Sequence, residues 1–200
     1  NLNTTDFKKD ERIYFDQFEI RNNDTAFIIM DPWDNFTEKE LNNYYSPITN
    51  QKIIPLANLL VERGFPTLIL TNRCSEKLKI TCGVDKNITQ LSKFEIIYHD
   101  QYDSENFKKY LNKRGIKKLV YLGYASNMCL LGRELGLLPM KLEGFEVGFI
   151  PDASAAVEFA SSWGTGEIHS SITVIISQWI AKIISYDDLI YKLKGSKSQT

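Results

Sequence analysis

The chain has 200 residues, enough for a single domain with a sizeable buried core. It is 43% hydrophobic and 24% charged, ordinary values for a globular protein, and its net charge of −1 with scattered basic residues argues against nucleic acid or an anionic membrane as partner. The longest apolar stretch, Ile172–Ile184, is broken by Ser177, Gln178 and Lys182 and is too short to span a bilayer.

In chain order, residues 1–23 read as a polar N-terminal arm around one aromatic cluster, IYFDQFEI. Residues 24–193 read as one domain and residues 194–200 as a polar tail; KLKGSK, Lys192–Lys197, is a solvated charge run. TAFIIM, Thr25–Met30, is apolar without alternation, the pattern of a strand buried on both faces of a parallel sheet. NQKIIPLANLLVERG carries apolar residues at helical spacing and stops at Gly64, a fitting C′ glycine. PTLIL, Pro66–Leu70, is a second strand. An irregular loop follows, then FEIIYH, Phe94–His99, as a third strand. SENFKKYLNKRG, Ser104–Gly115, is an amphipathic helix ended by glycine. KKLVYLG is a fourth strand, NMCLLGRELGLLPM a helix, and FEVGFIPDA a fifth strand over about Glu146–Ile150. GEIHSSITVIISQWI is helical, and AKIIS, Ala181–Ser185, is a short sixth strand. Alternation of strands and helices implies right-handed βαβ units: an α/β protein, a three-layer αβα sandwich around a six-stranded, mainly parallel sheet of Rossmann type.

The three cysteines cannot all pair. Cys74 and Cys82 flank CSEKLKITC and read as two unrelated thiols of a reducing compartment; a disulfide in an oxidising compartment is the alternative. The expected compartment is the cytoplasm, with secretion or a periplasmic location open because the sequence starts at Asn1 and not at Met. Asn-x-Thr sequons at Asn3, Asn23, Asn35 and Asn87 decide nothing alone.

Ligands of open parallel sheets bind beyond the carboxyl ends of the strands. The first strand ends at Asp31, the third at His99, and the fourth leads through GYASN to Cys129. An acid, an imidazole and a thiol therefore converge on one crevice. A thiol becomes nucleophilic as the thiolate. If the helix begins near Ser126 or Asn127, its dipole stabilises an anion at Cys129. Asp31 is placed to take the thiol proton, and His99 either to pair with the thiolate or to hold Asp31. Free N–H groups of the same turn would receive an oxyanion.

AFIIMDPWDNF, GIKKLVYLGYASNMCLLGRELGL and GFEVGFIPDASA resemble the isochorismatase-like cysteine hydrolases, over about Thr25 to Leu189. Asp31 and Phe36 match the first motif, Gly123, Ser126 and Cys129 the second, and Asp152 and Ala153 the third. The resemblance implies a small-molecule substrate, a C–N bond of a small amide or ureido compound cleaved without cofactor through an Asp–Lys–Cys triad, and a homo-oligomer, a dimer or larger. It also implies a non-proline cis peptide, here at Ala125–Ser126. Two other activities fit the same resemblance: an isochorismatase-type vinyl ether hydrolysis that needs no cysteine, and a non-catalytic binding protein. The family lysine is absent, and His99 stands in its place. The Asp-x-His…His zinc set of the related nicotinamidases is also absent, so no metal is expected.

Asp31, His99 and Cys129 are thus the expected catalytic residues. Trp33, Phe36, Tyr102, Tyr124, Ala125 and Ser126 are the expected substrate-binding residues. His169 reads as a satisfied helical residue, Ser126 and Asn127 as possible helix caps, and Arg133 and Glu134 as solvent-facing.

Overall fold

A computed structural model describes residues 11–13, 18–33, 36, 38–75, 81–88 and 93–195. Most of the expected arm, the sequons at Asn3 and Asn35, and the end of the basic run lie outside these residues.

Six strands form one parallel sheet in the order β3-β2-β1-β4-β5-β6. They are β1 (Thr25–Met30), β2 (Thr67–Thr71), β3 (Glu95–Tyr98), β4 (Lys118–Tyr124), β5 (Glu146–Ala155) and β6 (Lys182–Ile183). The expected three-layer α/β architecture is the one observed. Successive β1 side chains serve opposite cores: Ala26, Ile28 and Met30 face one, Phe27 and Ile29 the other. This is why β1 and β4 read as unbroken apolar runs. The first core is closed by α3 (Ser104–Asn112), α4 (Cys129–Gly132), α5 (Leu137–Leu142) and the π-helical turn Ile176–Ile180 that extends α6 (Glu167–Ile175). The second is closed by α1 (Lys39–Ile48), α2 (Ile54–Glu62) and α7 (Tyr186–Gly195).

Four features differ from the sequence reading. First, a helix begins at Lys39, ahead of Asn50, and runs through a π-helical turn, Thr49–Ile53, into α2. Pro47 lies inside it and Tyr45 is the buried residue of α1, so neither propensity nor periodicity announced it.

Second, the expected helix from Asn127 to Met140 is two. Arg133 leaves helical conformation at ψ 155°, and Gly136 packs against the carbonyls of Cys129, Leu130 and Arg133, where a Cβ would stand 2.8–3.0 Å from their oxygens. Third, β5 continues past Ile150 to Ala155. Its register with β4 jumps from Tyr121↔Phe149 to Gly123↔Ser154, so the chain bulges around Pro151, which cannot donate to a ladder. Fourth, Cys74 and Cys82 form a disulfide, correcting the reading of two thiols. The return of the loop after β2 brings their Cα atoms to 5.0 Å, inside the bridging range.

β1 and β4 are neighbours whose connections leave in opposite directions, so the crevice opens above their carboxyl ends. Gly123 lets them meet there: with φ 108°, any Cβ on it would collide with the Met30 carbonyl.

Candidate active site

Asp31 ends β1 in a left-handed conformation, φ 47°, one that aspartate tolerates better than most residues. Its N–H still donates to Leu70 O at 2.8 Å, while Trp33 N–H donates back to Asp31 O at 2.8 Å. The backbone thus leaves the sheet at this residue and the carboxylate, 1% exposed, stays at the strand end.

Two side chains reach that carboxylate. His99 Nε2–H donates to Oδ1 at 2.9 Å, and Arg133 Nη1 stands 3.5 Å from Oδ2. Because a carboxylate only accepts, Nε2 must carry the proton of the His99 bond. His99 Nδ1 is buried without a hydrogen-bond partner. The arginine corrects the sequence reading, which put it in solvent. α4 is a single turn whose Arg133 N–H donates to Cys129 O at 3.2 Å, so residues 129 and 133 share a face. From there Arg133 Nη1 donates to Cys129 Sγ at 3.8 Å.

Cys129 is the free cysteine, partly buried. Burial pushes its thiol pKa up, and the Asp31 carboxylate pushes it further; the Arg133 charge and the cysteine's own N–H pull it back, with a net upward shift. The resting group is a thiol at neutral pH. The expected help from a helix dipole is slight: the helix starts at Cys129 itself and has four residues.

The turn before Cys129 is fixed from several sides. A cis peptide joins Tyr124 to Ala125, one bond earlier than the resemblance implied. Ser126 is buried; its N–H donates to Ala155 O at 2.8 Å and its hydroxyl donates to His169 Nδ1 at 2.8 Å. The other imidazole nitrogen donates to Pro151 O at 3.0 Å, on the β5 bulge. Burial lowers the His169 pKa to about 4, so the ring is neutral at pH 7 and can both accept and donate. The Asn127 amide pairs with the Val157 backbone in both directions, at 3.0 and 3.2 Å. Ser126 and Asn127 are therefore anchors to β5 and the segment after it. Within the turn, Met128 and Leu130 N–H both donate to Ala125 O. The N–H groups of Asn127 and Cys129 have no backbone acceptor among the described residues.

The expected lining residues separate. Trp33 lies against Phe36 with ring centroids 5.4 Å apart, and its indole N–H donates to Thr71 Oγ1 at 2.9 Å. Tyr124 is core: it stacks on Tyr45 at 4.0 Å and its hydroxyl is held by Thr49 and by Tyr45 O. Tyr102 packs with Phe107 and Tyr110 on the α3 side of the sheet, away from the core that holds Trp33 and Phe36. Ala125 is 7% exposed. Among the described residues no group of three or more His, Cys, Asp or Glu is placed to hold a metal ion.

This is the fold of the isochorismatase-like α/β hydrolases. A cysteine hydrolase from Pseudomonas syringae pv. phaseolicola superposes with a TM-score of 0.67 at 14% identity, over 89% of this chain and 96% of that one. An isochorismatase-family hydrolase from Chromobacterium violaceum superposes with 0.67 at 11%, over 90% and 98%. An octameric hydrolase of unknown specificity from Escherichia coli, the YcaC gene product, gives 0.66 at 18%, over 92% and 85%. No family model matches the chain, and no curated protein matches it. At these identities the likeness establishes the architecture and leaves the reaction to the side chains.

Proposed function

We propose that the protein is a cysteine hydrolase that cleaves a C–N bond of a small amide or ureido-type substrate, with Cys129 as nucleophile and Asp31 as base. The observation that carries this reading is the meeting of one partly buried thiol with a buried carboxylate at the crevice above β1 and β4, where the carboxylate raises the thiol's pKa.

A thiol that rests protonated needs a base at the moment of attack, and a carboxylate oxygen without a hydrogen-bond partner is that base. In the first step the Sγ–H proton passes to Asp31 Oδ2 as sulfur bonds to the carbonyl carbon. The carbonyl oxygen becomes an oxyanion, received by the N–H groups of Asn127 and Cys129, which have no backbone acceptor among the described residues. The C–N bond then breaks, and Asp31 returns the proton to the leaving amine. In the second step Asp31 takes a proton from water, the hydroxide adds to the thioester carbon, and the C–S bond breaks. The thiolate regains its proton from Asp31. Trp33, partly buried and two residues after Asp31, offers an apolar surface to a small substrate, with Phe36 packed behind it in the core.

The test is turnover of a panel of small amides, ureido compounds and vinyl ethers by the wild type, Cys129→Ala and Asp31→Asn. The reading requires amide or ureido hydrolysis that both substitutions abolish. Vinyl ether hydrolysis surviving in Cys129→Ala would overturn it in favour of an acid-only mechanism.

A further inference from the structure

We propose that Arg133 is the permanent cation of this site, staying paired with one negative charge as that charge passes from Asp31 to the sulfur and the substrate oxygen. The inference rests on the cysteine-hydrolase reading and deepens it.

Before attack the charge is on the Asp31 carboxylate. When the thiol proton moves to Oδ2, the charge moves to sulfur and, as the S–C bond forms, to the carbonyl oxygen. One proton and one charge change places, and the net charge of the cluster stays constant. A cation near both positions stabilises the charge throughout. Arg133 Nη1 is 3.5 Å from Asp31 Oδ2 and 3.8 Å from Cys129 Sγ. The same nitrogen faces donor and acceptor of the transferred proton, from a side chain 35% exposed and thus only partly screened by water.

His99 does not meet this requirement. It touches the opposite carboxylate oxygen, Oδ1, and among the described residues no hydrogen bond joins it to Cys129. A guanidinium is always charged, and this one faces both the oxygen and the sulfur. The strand-end position of His99 therefore orients the base, and the positive charge comes from the residue four after the nucleophile. The sequence places that residue there only because α4 is helical for its one turn.

The experiment is the pH dependence of Cys129 alkylation by iodoacetamide in the full chain, with the Cys74–Cys82 bridge intact so that one thiol reports. The variants are Arg133→Gln and Arg133→Lys. Loss of a cation at this distance moves the midpoint up by about one pH unit, so Arg133→Gln should react about tenfold more slowly at fixed pH below the midpoint. Arg133→Lys, which keeps the charge, should recover most of that loss, and a merely structural arginine would give no such charge-dependent rescue. Superimposable profiles for wild type and Arg133→Gln would overturn the proposal; so would a Lys variant as slow as the Gln variant. The titration needs no turnover. Activity that survives Cys129→Ala would instead sink the hydrolase reading and leave the thiol result standing.

Discussion

His99, one residue past β3, donates to Asp31, one residue past β1, across the intervening strand β2 at 2.9 Å. The ladder makes this possible. His99 N–H donates to Thr71 O at 3.1 Å, extending the β2–β3 pairing by one residue and holding the imidazole level with the end of β1.

Replacing His99 by Ala should leave Oδ1 buried without a donor. The carboxylate would then lose its orientation, and a misplaced base should cost about tenfold to a hundredfold in kcat with a smaller change in KM. His99→Gln, which offers an amide N–H, should recover part of it. Steady-state kinetics on a substrate found by the panel decide the matter; an alanine variant with wild-type kcat would deny His99 any positioning role.

Asp31→Asn should separate reactivity from turnover. The carboxylate raises the Cys129 pKa, so its removal lowers that pKa and increases the thiolate fraction at neutral pH. Alkylation by iodoacetamide should therefore become faster. Turnover should fall by about 10²- to 10⁴-fold, because the base is gone. A slower alkylation in Asp31→Asn would overturn this account, because removing a neighbouring negative charge cannot by itself make the thiolate harder to form.

The fold was legible where burial was two-sided. β1 and β4 are unbroken apolar runs because both faces pack, and the glycines that stop α2 and α3, Gly64 and Gly115, have the positive φ their positions suggested. Illegible features depended on partners distant in sequence. The bulge after Ile150 exists where Pro151 interrupts donation and its carbonyl finds His169. An arginine four residues after a cysteine reads as surface until the turn's orientation is known. A spacing of eight residues between Cys74 and Cys82 suits separate thiols as well as a bridge, and only the loop's path distinguishes them.

The disulfide also touches the site. Gly83, next to Cys82, accepts from Thr71 Oγ1, and that same oxygen accepts from the Trp33 indole N–H. Asp85 N–H donates to Pro32 O at 2.7 Å, beside Asp31. The bridge thus braces the segment that carries Asp31 and Trp33. A double Cys74→Ser, Cys82→Ser variant should lose about 2–3 kcal/mol of stability, the chain-entropy value for so short a loop. It should raise KM more than it lowers kcat. Denaturant unfolding and intact mass before and after reduction check this, and a bridge found in the native protein would favour an oxidising compartment. A variant as stable as wild type would mean the loop holds its shape without the bond.

His169 links pH to the nucleophile turn. Its folded pKa is about 4, below the ordinary value of 6.5, because burial disfavours the charged ring. Between these values the unfolded chain binds the proton and the folded one does not, so stability is full above about pH 6.5 and declines as pH falls toward 4. The loss across that window is roughly 3 kcal/mol for this one group. A protonated ring can no longer accept from Ser126, whose hydroxyl would have to turn and accept from Nδ1–H instead, while Nε2–H keeps its bond to Pro151 O. His169→Gln keeps a neutral donor and acceptor without a titration in this range. Its denaturation midpoint should be lower than wild type at pH 7 and should change less between pH 6.5 and 4.5. Parallel pH profiles for the two proteins would show that the acid sensitivity arises elsewhere.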